Sequence, residues 1–355
     1  MDHPLRRARL GERLQELEIE ALLVTRTPNV RYLTGFTGSN GQVVLMPTSA
    51  VFFTDGRYTE QARHEVPDVD RVTYMSEFPE ALAERLSGVT TLGFEAHDIS
   101  VAAHGTHTAA LEGVTLVPTE RVVERARWVK DEEEIGLLRA AQEATDQAFE
   151  EILDRAAIGM SERGLARAVE DAMRRAGADG LAFEPIVAFG ENAAEPHHEP
   201  GHRLLREGDV IKLDFGALVG GYHADMTRTI AFGAPSPELR KIHDVVRQAQ
   251  EAGIDAVRPG VTGGEVDAAA RSVIQDAGYG ERFTHGLGHG VGLEIHEGPN
   301  LRREGSDVLP VGAVVTVEPA IYVPGLGGVR IEDSVEITED GCRVLGAATR
   351  ELIEL

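Results

Sequence analysis

The sequence predicts an α+β protein in two parts, a small α/β domain over residues 1–125 and a larger domain over 126–355 with an internal pseudo-two-fold repeat. Three observations lead there. The first 120 or so residues alternate short apolar runs with polar, helix-like stretches, as a small α/β domain with a mixed sheet does. A long helical pattern then opens on the acidic cluster Asp131 to Glu134, acids being favoured at a helix N-terminus by the backbone dipole. After it, two helix-then-hairpin segments follow in the same order, with acids at matching places. A length of 355 residues is long for one hydrophobic core and fits this division.

In the first part, Leu5 to Leu17 has helical spacing, Ala21 to Val24 and Gln42 to Met46 read as buried strands, and Ala50 to Thr54 follows as another. Thr59 to His64 opens a further helix. The helix beginning at Asp131 runs through Leu138, Ala141, Ala144, Phe149 and Leu153, so the boundary is placed just before it, near Ala126. In the second part, Ser161 caps a helix with Leu165, Val169, Ala172 and Met173 on one face, ending at Gly177. Thr262 caps another with Val266, Ala270, Val273 and Ile274 on one face, ending at Gly278. The strands repeat as well: Gly208 to Asp214 matches Gly312 to Glu318, with an acid six residues after the glycine in both. Each is followed by a Gly-rich turn and a second acid-bearing strand, with Asp225 or Glu332.

Composition limits the partners. A formal net charge of −24 repels nucleic acid and anionic membrane surfaces, which argues against both. The longest apolar runs, such as Ala21 to Val24, fall far short of a membrane span. Arg6 and Arg7 have no apolar core behind them, so the N-terminus does not read as a signal peptide. One cysteine, Cys342, excludes an internal disulfide framework and suits a reducing cytoplasm, the expected location.

The acids carry the chemistry. Strand side chains alternate faces, so Asp214 shares its face with Val210 and Lys212, and Asp225 shares its face with His223 and Thr227. If the two strands pair as a hairpin, Asp214 and Asp225 lie side by side. Adjacent carboxylates in an apolar sheet repel at a cost of several kcal/mol unless protonated or metal-bound, and metal binding is the cheaper explanation. Glu318, ending the apolar run from Val311, and Glu332 follow the same logic. Arg330 shares a face with Glu332 and is expected to orient it or to form an ordinary ion pair with it. Between the hairpins lies His285-Gly-Leu-Gly-His289-Gly-Val-Gly292. Its glycines rule out a regular zinc-binding helix, Val291 breaks the dinucleotide pattern, and a Gly-rich turn that brings backbone close to a metal or substrate is expected. Four carboxylates and one imidazole form a hard, mostly oxygen site that suits Mn²⁺ or Co²⁺ and tolerates Zn²⁺.

At this point the sequence resembles the pita-bread metallopeptidases: methionine aminopeptidase, Xaa-Pro aminopeptidase, prolidase and their relative creatinase. The matching strings are Asp214-Phe-Gly216, Ala224-Asp-Met-Thr-Arg-Thr229, Gly286 to Gly292, Val317-Glu-Pro319 and Val329-Arg-Ile-Glu-Asp333. The resemblance runs from about Lys130 to the end and extends to a creatinase-like N-terminal domain. It implies a pita-bread fold for the second domain and two divalent ions held by Asp214, Asp225, His289, Glu318 and Glu332. It implies Glu318 as the acid/base that takes the proton of a metal-bridging water, which attacks as hydroxide, and passes it to the leaving nitrogen. His197 and His296 then polarise the scissile carbonyl, with His285 and Arg330 near the substrate and His198 the ambiguous neighbour of His197. A homodimer is implied by the family alone.

Within the family, all five ligands are present, unlike in metal-free creatinase, and Glu318 and Glu332 lie closer in sequence than the last two glutamates of methionine aminopeptidases. Xaa-Pro aminopeptidase and prolidase remain. Tyr32 to Gly41, with Thr54-Asp-Gly-Arg-Tyr58, is more similar to a bacterial Xaa-Pro aminopeptidase, which is therefore the expected activity on proline-containing peptides. Prolidase is the alternative, and a metal-free binding module the more distant one, disfavoured by the intact ligand set. A serine or cysteine hydrolase does not fit: Ser39 lacks the nucleophile-elbow pattern and Cys342 lacks a matched histidine.

Overall fold

The computed structural model describes all residues, Met1–Leu355. Two compact units meet between Arg127 and Trp128, two residues beyond the boundary placed at 125/126. The difference has a local cause. Helix α6 (Val122–Arg127) buries Val122 and Val123, and Arg127 Nη1 donates to Asn29 Oδ1 at 2.7 Å, which ties the whole helix to the first unit.

The first unit contains helices α1 (His3–Arg13), α2 (Thr27–Thr34), α3 (Thr59–Glu65), α4 (Phe78–Arg85), α5 (Val101–Ala110) and α6. Its strands are β1 (Ala21–Val24), β2 (Gln42–Leu45), β3 (Ala50–Asp55), β4 (Asp70–Tyr74), β5 (Thr91–Glu95) and β6 (Thr115–Thr119). They form one mixed sheet in the order β4-β3-β2-β1-β5-β6, with β1-β2 and β2-β3 antiparallel and the other pairs parallel. Both faces of β1 are buried, as its unbroken Ala-Leu-Leu-Val run requires of a central strand. Helix α1 starts at its N-cap Asp2 and stops at Arg13, short of the expected Leu17.

In the second unit, α7 (Glu132–Leu153) opens with a full capping box, Asp131 accepting from the Glu134 N–H and Glu134 reaching back to the Asp131 N–H. Such a cap is worth about 1 kcal/mol. Helix α8 (Glu162–Arg175) has Ser161 as its N-cap and Gly177 in the left-handed region just beyond its end. Helix α9 (Pro237–Ala256) precedes α10 (Gly263–Asp276), which is capped by Thr262 and followed by left-handed Gly278. The expected caps of both repeat helices are thus in place.

The strands of this unit are β7 (Gly180–Leu181), β8 (Ile186–Phe189), β9 (Val210–Phe215), β10 (Ala217–Val219), β11 (Tyr222–His223), β12 (Met226–Ala231) and β13 (Gly288–Gly290). They continue with β14 (Glu297–Leu301), β15 (Val314–Val317), β16 (Ala320–Val323), β17 (Gly327–Arg330), β18 (Asp333–Thr338) and β19 (Gly341–Val344). Sheets β12-β9-β8 and β14-β13-β15-β18-β19 each cover a helix pair. One core gathers Phe149, Leu165, Val169 and Met173 against Leu213 and Phe215. The other gathers Val246, Val266, Ala270 and Ile274 against Val315, Val317 and Val335.

The two halves differ in one respect that the sequence repeat hides. Asp214 pairs with Thr227, two residues after Asp225, whereas the residue facing Ser334, two after Glu332, is Thr316 and not Glu318. The register has slipped by two. An even slip keeps the paired side chains on their faces, and all four acids line one cavity.

A candidate metal centre

The sequence expected one continuous strand carrying His223, Asp225 and Thr227 on one face. The structure breaks it at Ala224-Asp225, between β11 and β12, where Gly216, in the matching break between β9 and β10, admits a close approach: a Cβ there would sit 1.8 Å from the Ala224 carbonyl oxygen. Asp225 is released from the ladder and turns to the same face as Asp214. The expected Gly-rich turn is also corrected. Gly288–Gly290 is a short strand between β14 and β15, and Cβ atoms at Gly288 and Gly290 would lie 2.0 Å from Thr316 O and 2.1 Å from Gly298 O. The glycines serve close strand packing, and the strand directs His289 at the acids.

Asp225, His289 and Glu332 bring ligand atoms within 4.8 Å of one another. His289 Nε2 lies 3.6 Å from Asp225 Oδ2 and 3.5 Å from Glu318 Oε1. Glu332 accepts a hydrogen bond from Thr227 Oγ1 at 2.6 Å, and its own N–H donates to Thr227 O at 3.0 Å across the two halves. All five expected ligands, with His197, His285, His296 and Arg330, line one cavity of about 550 Å³ in the second unit. His198 does not line it.

Arg330 behaves differently from expectation. It pairs with Asp214 rather than Glu332, its Nη2 donating to Asp214 Oδ2, while its Nε donates to Thr227 Oγ1 at 3.0 Å. Its Nη1 reaches Tyr322 Oη at 2.7 Å. Residue 330 ends β17 whereas Glu332 lies beyond that strand, so the shared face assumed from strand alternation does not extend across the break. Burial works against the Arg330 charge, but Tyr322, Asp214, Glu318 and Glu332 more than offset it and hold its pKa above the ordinary value.

The electrostatics describe a crowded carboxylate cluster. Burial first, and then the Glu332 charge, pushes Asp225 and Glu318 well above the usual carboxylate range. Burial and Asp214 raise Glu332 to about 7. Burial pushes His289 and His285 down to about 4, leaving neutral imidazoles at physiological pH. Asp214 Oδ1 is buried without a hydrogen-bond partner. An orphaned carboxylate oxygen, acids that resist ionisation and a neutral imidazole fit a divalent cation site, whose ligands must be deprotonated to bind.

Two residues escaped the sequence reading. Tyr322 on β16 lies 3.1 Å from His285 Nε2 as well as against Arg330, and burial lifts its phenol to about 12. Arg302 lines the cavity, is exposed and makes no ion pair. The Tyr322-Arg330 spacing across the β16-β17 hairpin carried a signal for the first. Nothing local marked the second.

Fold and site together define a metallohydrolase with a duplicated catalytic unit. The pattern of metallopeptidase family M24 matches residues 136–339, and that of the Creatinase/Prolidase N-terminal domain matches residues 6–129. This chain belongs to metallopeptidase family M24, with the pita-bread catalytic fold and a creatinase-type N-terminal domain. It is 35% identical over 348 residues to the Xaa-Pro dipeptidase of Pyrococcus horikoshii, covering 96% of this chain and 97% of that one. Among solved structures, it is similar to an Xaa-Pro dipeptidase from Bacillus anthracis, with TM-score 0.97, 39% identity and 99% and 100% of the two chains covered. An X-Pro aminopeptidase from Thermotoga maritima gives TM-score 0.90 at 36% identity, with 97% and 100% covered.

Proposed function

We propose that this chain is an Xaa-Pro dipeptidase, a prolidase, dependent on two divalent ions. The observation that carries this reading is Arg302, an exposed arginine without an ion-pair partner that lines the same cavity as the acid cluster. In a dipeptide the C-terminal carboxylate lies one residue past the scissile bond, and a guanidinium at the cavity wall is suited to bind it. The similarity to two dipeptidases supports the same choice over the aminopeptidase expected from the Tyr32 to Gly41 motif.

Asp214, Asp225, His289, Glu318 and Glu332 hold the ions in this reading, and their donor chemistry favours Mn²⁺, with Co²⁺ or Zn²⁺ accepted. When bound, such ions supply Lewis acidity and lower the pKa of water. Glu318 takes a proton from the attacking water. As the oxygen adds to the Xaa carbonyl carbon and the C–N bond breaks, the proton passes to the proline nitrogen, leaving the free amino acid and proline. His197 and His296 donate to the carbonyl oxygen as it gains charge. Arg330 fixes Asp214, and His285 with Tyr322 closes the wall beside it. The single cysteine suits a cytoplasmic location, and the homodimer implied by the family is tested by light scattering.

Metal-stripped enzyme, assayed on Ala-Pro and Ala-Pro-Ala with and without added Mn²⁺, tests the function. Metal-dependent release of proline from the dipeptide, with the tripeptide left intact, is expected. Faster cleavage of the tripeptide restores the aminopeptidase, and cleavage of neither removes the Xaa-Pro reading.

A further inference from the structure

Glu162, the first residue of α8, is fully buried, and both its oxygens are used by a single segment. Oε1 accepts the Phe189 N–H and Asn192 Nδ2–H, each at 2.9 Å. Oε2 accepts the Gly201 N–H at 3.0 Å and lies 3.0 Å from His198 Nε2. The other ring nitrogen of His198 lies 2.6 Å from Glu195 Oε2. Burial works to lower the His198 pKa, and the hydrogen bonds to Glu195 and Glu162 more than offset it, which favours a charge-assisted contact. On the other side of His197, buried Lys212 donates through Nζ to the carbonyls of Glu195 and, at 3.2 Å, Pro196. His197 therefore sits between two carbonyls gripped by a buried amine and an imidazole gripped by a buried carboxylate.

The internal repeat supplies a comparison. The residue matching Glu162, one past the N-cap, is Gly263 in α10. There the loop docks on the helix start through backbone alone, Gly263 N–H donating to Asp307 O at 2.8 Å and Gly264 N–H to Gly305 O at 3.0 Å. The first half makes the same kind of contact, Glu162 N–H to Arg203 O at 3.1 Å and Arg163 N–H to Gly201 O at 3.0 Å, and adds the carboxylate. Docking a loop on a helix start thus does not require an acid. In the first half the acid is present, and it grips the residue next to cavity-lining His197.

We propose that Glu162 and His198 are positioning residues that clamp the 189–201 segment and set the His197 ring against the substrate carbonyl. This rests on the dipeptidase reading for the role of His197, but the clamp itself is a statement about the segment. A grip that fixes one ring in the reacting geometry acts on turnover more than on substrate binding.

His198→Ala is the first variant, because His198 contacts the polar Glu162 and Glu195 and belongs to no hydrophobic core; His198→Gln retains a donor toward Glu162. Each is loaded with Mn²⁺ and compared with wild type by hydrogen exchange of the 189–201 backbone and by kinetics on Ala-Pro, with His197→Ala setting the floor. In His198→Ala, exchange in the segment is expected to rise at least about tenfold. kcat is expected to fall roughly tenfold to a hundredfold, with KM held within about threefold. His198→Gln is expected to recover most of both. Unchanged exchange in His198→Ala overturns the clamp, and faster exchange with unchanged kcat overturns the positioning role. Wild-type enzyme inactive on Ala-Pro would sink the dipeptidase reading and the His197 role with it, while the exchange result still decides the clamp.

Discussion

Metal affinity should fall steeply as pH drops below 7, and the size of the fall follows from the carboxylate cluster. Without ions, Glu332 titrates near 7, raised by burial and by Asp214, and Asp225 and Glu318 are raised in the same direction. A carboxylate with a raised pKa holds a proton that an incoming ion must displace, so the binding energy it contributes is complete above that pKa and lost as pH falls through it. For Glu332 alone, the apparent dissociation constant is multiplied by about 11 at pH 6 and about 1.1 at pH 8, a tenfold difference worth about 1.4 kcal/mol. Asp225 and Glu318 add to it with the same sign. The imidazoles do not, because His289 titrates near 4 and stays neutral throughout this window. Titration calorimetry of the stripped protein with Mn²⁺ at pH 6 and pH 8, in buffers of differing ionisation enthalpy, reads both affinity and proton release. A dissociation constant independent of pH, with no proton released, would refute the placement of these acids as a mutually repelling ligand set.

Glu318→Gln is expected to keep the fold and lower kcat by roughly 10²–10⁴-fold, the range for a lost general acid/base, as steady-state kinetics with Ala-Pro would show. Arg302→Ala should raise KM for Ala-Pro by roughly tenfold or more while changing KM for the C-terminal amide of the same dipeptide little, since the amide offers no charge to a guanidinium. Gly216→Ala places a Cβ 1.8 Å from the Ala224 carbonyl, against backbone that cannot rotate away. A loss of about 1–3 kcal/mol in denaturant unfolding, with weakened Mn²⁺ binding as Asp225 is displaced, is expected.

The repeat helices and their caps were legible because short polar side chains at Ser161 and Thr262 and glycines at 177 and 278 act locally, within one turn of the residues they terminate. That the five acid and histidine positions converge on one cavity was legible through the motifs that carry them. What escaped was decided by contacts distant in sequence. The break at Asp225 meets Gly216 between β9 and β10, and the partner of Arg330 proved to be Asp214, 116 residues away. The Gly288–Gly290 segment read as a turn because its glycines suit one, yet the same absence of a Cβ lets it slot between strands whose carbonyls come within 2.1 Å of that position. Arg302 had no periodicity or spacing to betray it, since its significance lies only in the cavity it borders.

The distribution of cations in the cavity distinguishes a metal centre from a structural ion-pair network. In a network each acid would have its own base, as Arg228 and Arg350 serve Asp333 one residue beyond Glu332, at 2.7 and 2.6 Å. Inside the cavity Arg330 alone serves four carboxylates, and its contact is with Asp214, while Glu318 lies 4.0 Å from its Nε. Glu332 receives only a threonine hydroxyl and Asp225 only a distant imidazole. Three of the four acids stand at strand interruptions, Asp225 before β12, Glu318 after β15 and Glu332 before β18. Their backbones are nonetheless pinned by bonds from Glu318 N–H to Leu287 O at 2.8 Å and from Glu332 N–H to Thr227 O at 3.0 Å. A fold that holds repelling acids rigidly, while denying them bases it supplies freely one residue away, is short of positive charge at one place, and divalent ions are the species whose charge and oxygen preference match that deficit.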